Sequence, residues 1–467
     1  YDDSEPSWSP DGKTIAFVSN RSKYPNRNYN TDIWLVSADT TDKGHKLTKL
    51  TTHWGPDSSP VWSPDGKWIA YTTAGDGEYG IAQLAIVPCS GGPAKILTKD
   101  LDRGVSRIKF SDDGESIYFI YPDSGSQHLG TIASKGGPVK RLITGPRVIR
   151  SYSLGKNGIL AANITPANGT GELYNFNHKK LRKLTHVNDD LLAQLKLGEL
   201  EKVSFFSLDG TEIETFVVKP PDFNTNRKYP TLLSIHGGPV AQYTYGYSFG
   251  PQFYAAQGYV VVLPNPRGST GRGDKFRKAI LQGWGIKDYE DVIAAVDHII
   301  KLGYADPDRL GVKGYSYGGF MTNVVITRTD RFKAAVSGAG HSLFVANYGH
   351  DIYQKWYEWE LDLPWKNRQL WEKLSPLNQI HKVTTPTLFA CGQKDWNVPV
   401  LNSELMYQSL KRLGVETQLV VYPNSHHGGW KKQYNRDYYQ RTLAWMDKYL
   451  KKESAITEIA GSKADNK

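Results

Sequence analysis

Leu310-Gly311-Val312-Lys313-Gly314-Tyr315-Ser316-Tyr317-Gly318-Gly319-Phe320 is the stretch on which the fold of this chain turns. The apolar run Leu310–Lys313 reads as a short strand. Gly314 to Gly319 reads as a sharp corner, and Phe320 to Thr327 as a helix. A serine held on a strand-to-helix corner needs neighbours without Cβ atoms. Such a corner exposes the serine Oγ and aims backbone N–H groups at negative charge developing beside it. The G-x-S-x-G spacing therefore points to a nucleophile, and the strand, turn and helix around it supply the context that spacing requires.

Working outward, apolar strands alternate with amphipathic helices from Tyr229 onward. The strand candidates are Thr231–Ile235, Tyr259–Leu263, Leu310–Lys313, Thr387–Ala390 and Gln418–Tyr422. Asp288–Lys301 reads as one helix, with Val292, Ala295, Val296, Ile299 and Ile300 on a face. This alternation predicts a parallel sheet covered on both sides. Sites in such sheets lie at the carboxyl ends of the strands. Asp395 falls there, in Cys391-Gly392-Gln393-Lys394-Asp395 after the fourth strand. His426 and His427 fall there after the fifth, in Tyr422-Pro423-Asn424-Ser425-His426-His427. Serine, acid, histidine is the chain order of an α/β-hydrolase triad. His236-Gly237-Gly238-Pro239 directly follows the first strand and reads as an oxyanion loop, with the N–H of Tyr317 as the second donor. The paired histidines do not suit a metal: adjacent residues point apart, and no HExxH or third ligand accompanies them.

The first half repeats itself. Pro6-Ser7-Trp8-Ser9-Pro10-Asp11-Gly12-Lys13 returns as Pro60-Val61-Trp62-Ser63-Pro64-Asp65-Gly66-Lys67, and more weakly as Ile108-Lys109-Phe110-Ser111-Asp112-Asp113-Gly114-Glu115. A faint fourth copy spans Tyr152 to Ala161. The Pro-Asp-Gly and Asp-Asp-Gly turns, flanked by alternating apolar and polar residues, predict hairpins. About four short strands per 40–50-residue repeat is the pattern of propeller blades. Near Glu201 the repeat gives way, and Lys219-Pro220-Pro221 breaks the chain.

Composition narrows the function classes. Of 467 residues 39% are hydrophobic and 12% aromatic, which suits large cores and excludes a disordered or fibrous chain. Lys and Arg number 57 against 47 Asp and Glu, a net charge of +10. The excess is spread thinly, with no basic block or arm, so it reads as a solvated surface and not as a nucleic-acid interface. No apolar run of the length a membrane helix needs is present. Cys89 and Cys391 make neither a disulfide framework nor a CxxC site.

The WSPDG repeats resemble those of TolB-type propellers and of the prolyl oligopeptidase family. Asn265-Pro266-Arg267-Gly268-Ser269-Thr270-Gly271-Arg272-Gly273 is similar to that family's NPRGS-x-G-x-G segment. Gly283-Trp284-Gly285, Asp288-Tyr289-Glu290-Asp291-Val292, Trp356-Tyr357-Glu358-Trp359-Glu360, Pro364-Trp365 and Asp395-Trp396-Asn397-Val398-Pro399 also match it. Together they look most like its acylaminoacyl-peptidase and dipeptidyl-peptidase branch. The resemblance runs from Tyr1 to about Leu450. It implies Ser316 as nucleophile, Asp395 as acid, and Gly238 with Tyr317 as oxyanion donors. Counting along the family pattern Tyr-Pro-x-Glu-x-His from Tyr422-Pro423 lands on His427, with Ser425 where the Glu usually stands; His426 is the alternative. Where many relatives carry Arg two residues after the acid, this chain has Asn397.

The expected organisation is α/β plus all-β: propeller blades over 1–200, an α/β-hydrolase domain over 201–452, and a loose tail over 453–467. Three or four blades, where that family usually has seven, lead us to expect earlier blades outside this chain. The expected activity is a serine peptidase on short peptides, releasing dipeptides or acylated amino acids, with no metal or cofactor. By resemblance the propeller would limit entry to short peptides. An esterase on the same fold, or a propeller binding module with a decayed hydrolase, are the alternatives. Compartment and homo-oligomerisation are not readable.

Overall fold

The computed structural model describes residues 2–451 apart from 40, 42, 45, 76, 178 and 179; the expected loose tail, 453–467, lies outside the described residues. The chain divides into two compact units. The first runs to Gln194 and takes in Thr244–Tyr247 and Thr270–Lys278. The second is the remainder from Leu195 onward.

Among the described residues the first unit holds four blades, each of four strands joined antiparallel in chain order. Blade one is β1 (Asp3–Trp8), β2 (Thr14–Ser19), β3 (Asp32–Ser37) and β4 (Leu47–Lys49). Blade two is β5 (Asp57–Trp62), β6 (Trp68–Thr73), β7 (Gln83–Pro88) and β8 (Lys95–Ile96). Blade three is β9 (Ser106–Phe110), β10 (Ser116–Asp123), β11 (Ser126–Ala133) and β12 (Lys140–Ile143). Blade four is β13 (Arg147–Leu154), β14 (Ile159–Pro166), β15 (Glu172–Asn177) and β16 (Lys180–Lys183). A parallel pairing of Gln127 with Val148 joins blades three and four.

Each repeated turn is locked the same way. Ser63 Oγ donates to Asp65 Oδ1 at 2.6 Å and accepts the Trp68 N–H at 3.0 Å, while Asp65 Oδ1 accepts the Lys67 N–H at 3.1 Å. Gly66, at φ +71°, turns the corner. Ser9 with Asp11 and Ser111 with Asp113 repeat the arrangement. Trp8, Trp62 and Phe110 stand in register opposite Ile15, Ile69 and Ile117. In blade four the corresponding residue is Leu154, opposite Leu160, and not Tyr152, which pairs with Ala162. The turn there is a short 3-10 helix, Lys156–Gly158, without the serine–aspartate lock, which displaces the aromatic from the motif's place.

Strand alternation explains why the blades stack. Ile69 and Tyr71 of β6 pack with Ala16, Val18 and Ile33 of blade one. Ala70 between them packs with Ile117, Phe119 and Tyr121 of blade three. Ile120 packs the other way, with Ile149, Leu160 and Ile164 of blade four. Successive side chains leave opposite faces of a strand, so each inner blade buries both faces against neighbours.

The second unit is built on an eight-stranded sheet. Its strands are β17 (Leu200–Phe206), β18 (Glu212–Val218), β19 (Tyr229–Ile235), β20 (Val260–Asn265), β21 (Ala305–Tyr315), β22 (Ala334–Gly338), β23 (Thr387–Gly392) and β24 (Thr417–Tyr422). The order is β17-β18-β20-β19-β21-β22-β23-β24; β18 runs antiparallel to both its neighbours, β17 and β20, and the remaining pairings are parallel. Strand β22, Ala334-Ala335-Val336-Ser337-Gly338, escapes the sequence reading because it is short and made of small residues. It is wholly buried. The helix Lys287–Lys301 buries Val292, Ala295, Val296 and Ile299, and also Asp288 and Asp291.

Candidate active site

The corner after β21 is as sharp as its sequence predicts. Ser316 sits at φ +61° and ψ −125°, a conformation costly for a residue with a Cβ. Its N–H donates to Gly338 O of β22 at 2.9 Å, and its carbonyl accepts the Phe320 N–H at 2.9 Å. The glycines are required by contact. A Cβ on Gly314 would lie 2.2 Å from Gly318 O, one on Gly318 2.1 Å from Ile235 O, and one on Gly319 2.2 Å from Gly338 O. Without them the helix Tyr317–Arg328 could not approach β19 and β22, and the serine would not reach the sheet's carboxyl edge.

The structure brings Ser316, His427 and Asp395 into one hydrogen-bonded series. His427 Nε2 lies 2.9 Å from Ser316 Oγ, and His427 Nδ1 lies 2.7 Å from Asp395 Oδ2. Asp395 is buried, and its other oxygen accepts the N–H groups of Asn397 and Val398, both at 2.9 Å. A carboxylate accepts only, so Nδ1 carries the hydrogen and Nε2 is left to accept from the serine. His426 is exposed and outside this series; its carbonyl accepts the Trp430 indole N–H at 2.8 Å. The imidazole of His427 is backed by the Tyr315 ring, 5.2 Å between centroids, and Tyr315 Oη donates to His427 O at 2.7 Å. Gly392 lets the histidine loop come close, since a Cβ there would lie 2.4 Å from Ser425 O.

The His236–Pro239 loop passes beside the serine. A Cβ on Gly237 would lie 3.4 Å from Ser316 Cβ, and Gly238 adopts φ +126°. Buried His236 anchors the loop: Nδ1 reaches Gly237 O at 2.7 Å and Nε2 reaches Ser269 Oγ at 3.0 Å. The carbonyl can only accept, so Nδ1 bears the hydrogen and Nε2 accepts from the serine hydroxyl. Burial lowers its pKa, which keeps the ring neutral. Asn265 pins the far end of the loop, accepting from Tyr243 N at 2.7 Å and donating to Tyr243 O at 3.0 Å. Tyr317 opens the helix, so its N–H points out of the helix's N-terminal end. Its phenol is clamped by the Trp284 ring, 5.1 Å away and perpendicular, and donates to buried Asp288 Oδ2 at 2.5 Å.

Several residues here carry no motif that marks them individually. Gly338 supplies the acceptor for Ser316 from an unrecognised strand. Asp288, whose pKa burial pushes up to about 6, holds Tyr317. His341, close to His427, is driven by burial down to about 3 and is neutral. Asn397 donates from Nδ2 to Tyr353 Oη at 2.8 Å. Among the described residues no group of three or more His, Cys, Asp or Glu is placed to hold a metal ion, and no helix is long and apolar enough to cross a membrane.

A serine, a histidine and a carboxylate in series at the carboxyl edge of a largely parallel eight-stranded sheet define a serine hydrolase of the α/β type. The chain belongs to the prolyl oligopeptidase family and is a serine peptidase. Residues 245–453 match that family and residues 3–190 the TolB β-propeller domain. A peptidase of Bacillus subtilis, YuxL, itself uncharacterised, is 32% identical over 96% of this chain and 84% of its own length. The dipeptidyl-peptidase 5 of Porphyromonas gingivalis is 28% identical over 96% of this chain and 67% of its own. Among solved structures, the Pyrococcus horikoshii acylaminoacyl peptidase superposes with a TM-score of 0.83 at 26% identity, over 95% of this chain and 70% of that one.

Proposed function

We propose that this peptidase cleaves short peptides near their amino terminus through an acyl-enzyme on Ser316, releasing a dipeptide or an acylated amino acid. The observation that carries the reading is the unbroken series from Asp395 through His427 to Ser316 Oγ. Ser316 Oγ attacks the scissile carbonyl while His427 Nε2 takes its proton. Asp395 holds the imidazole tautomer and stabilises the imidazolium. The N–H groups of Gly238 and Tyr317 receive the oxyanion. The tetrahedral intermediate collapses, His427 gives the proton to the leaving amine, and the acyl group stays on Ser316. Water, activated by the same histidine, then releases it. Every step uses side chains and backbone N–H groups of this chain, and water. The substrate class is supported by the resemblance to dipeptidyl and acylaminoacyl peptidases.

The test is fluorophosphonate labelling of the intact chain, followed by rates on dipeptidyl, aminoacyl and acyl-aminoacyl p-nitroanilides and on a p-nitrophenyl ester. We expect label on Ser316 and turnover of a dipeptidyl or acyl-aminoacyl amide. Hydrolysis of the ester alone, or label elsewhere, overturns the proposal.

A further inference from the structure

A cavity of about 430 Å³ opens behind the catalytic histidine, between β21 and the helices Phe249–Ala256 and Lys432–Leu450. Its wall includes His427, Gly237, Lys313, Tyr254, Tyr438 and Trp430. The lining holds no aspartate or glutamate. Lys313 is two residues before Tyr315 on β21, so strand alternation puts the two on the same face. Its ammonium lies 5.2 Å from the centre of the Tyr254 ring. Among the described residues no carboxylate comes within ion-pair distance of it. Desolvation alone brings its pKa down to about 8. The hydroxyls of Tyr254 and Tyr438 are buried and turn toward Thr442 Oγ1, yet none of the three closes a hydrogen bond of ordinary geometry. The other titratable groups facing the space are His236, Tyr243, Tyr315 and Tyr439. None of them is an anion near neutral pH.

We propose that this cavity is a binding site for a small carboxylate, with the Lys313 ammonium as its counter-ion. A carboxylate only accepts, and the cavity offers a cation and phenolic donors with no competing acid. The volume is in the range of small-molecule sites and admits an organic acid or the carboxyl end of a short peptide. The site borders His427 but stands independently of Ser316 as nucleophile.

The test is calorimetric titration of the Ser316→Ala chain, which cannot acylate. The probes are 3-phenylpropionate and triglycine, each against its own carboxamide, which keeps the shape and removes the charge. We expect at least one acid to bind about tenfold or more tighter than its amide, the size of one charge-assisted hydrogen bond. Preference confined to phenylpropionate assigns the site to free acids; preference for triglycine assigns it to peptide ends. In Lys313→Met and Lys313→Gln the acid's advantage should vanish. In the parent chain the bound acid should raise the Lys313 titration midpoint, followed by NMR of the ¹³C-methylated amine. Acids binding no better than amides, or a preference that survives both substitutions, overturns the proposal. Failure of the fluorophosphonate labelling leaves this measurement untouched.

Discussion

At the scale of single residues, Ser316 is held in a left-handed conformation by partners on both sides, Gly338 O and the Phe320 N–H. Removing its Oγ touches neither bond. Ser316→Ala should therefore keep the fold, checked by near-ultraviolet circular dichroism, and lose about 10⁴-fold or more in kcat/KM on an active p-nitroanilide. His427→Ala should match it, because the two act as a unit, while His426→Ala should cost far less. Reversed severities would move the general base to the neighbouring residue. Asp288 leads to an expectation about pH. Burial is the main cause of a folded-state pKa of about 6, against 3.8 for an ordinary aspartate. A raised acid pKa means the folded state holds more protons between those values, so its contribution to stability is complete below about pH 4 and is lost as the pH climbs through about 6. The loss is on the order of 2–3 kcal/mol. Asp351, also raised to about 6, adds a slope of the same sign. Denaturant midpoints from pH 4 to pH 7 should fall less steeply in Asp288→Asn than in the parent; an unchanged slope would contradict this.

At the scale of elements, the repeated turn shows what a motif does and does not reveal. Pro-Asp-Gly announces the corner, because glycine at positive φ is a local requirement. The serine two residues before the aspartate has no reason in the sequence, and gains one in the hairpin. Ser63 is buried, accepts from Trp68 N and donates to Asp65. Ser63→Ala should leave the Trp68 N–H without its acceptor and cost about 1–2 kcal/mol, read as a lowered urea midpoint with unchanged slope. The same periodic reasoning finds five strands of the catalytic sheet and passes over β22. Its residues are too small and too few to show a period, and only the pairing with β21 and β23 makes them a strand.

At the scale of the whole molecule, Arg267 ties distant parts of the second unit together. Its Nε and Nη2 grip Asp291 at 2.9 and 2.7 Å, and it also pairs with Asp209 in the turn between β17 and β18. Asp291 accepts from Ser207 Oγ at 2.6 Å as well. The arginine side chain is 3% exposed and Asp291 fully buried. Arg267→Met leaves a buried carboxylate without its cation and should destabilise by about 3–5 kcal/mol, measured as a drop in the chemical-denaturation midpoint; the paired change Arg267→Met with Asp291→Leu should restore part of that loss. The units themselves do not follow the chain: Thr244–Tyr247 and Thr270–Lys278, within the stretch read as hydrolase, group with the first unit.

The sequence by itself determined the blade repeats, the strand–turn–helix corner and the order of serine, acid and histidine, because each rests on a local period or on the conformational freedom of a glycine. The family pattern counts onto His427, and the structure sets that residue, not His426, between Ser316 and Asp395. Tertiary structure alone decided that Gly338 of β22 accepts from the serine N–H, that Asp288 holds Tyr317, and that Lys313 faces a space without an acid. These depend on which strand lies beside which and on what the packed helices leave empty. Strand order and packing are set by contacts between residues far apart in the chain, and no local spacing encodes them.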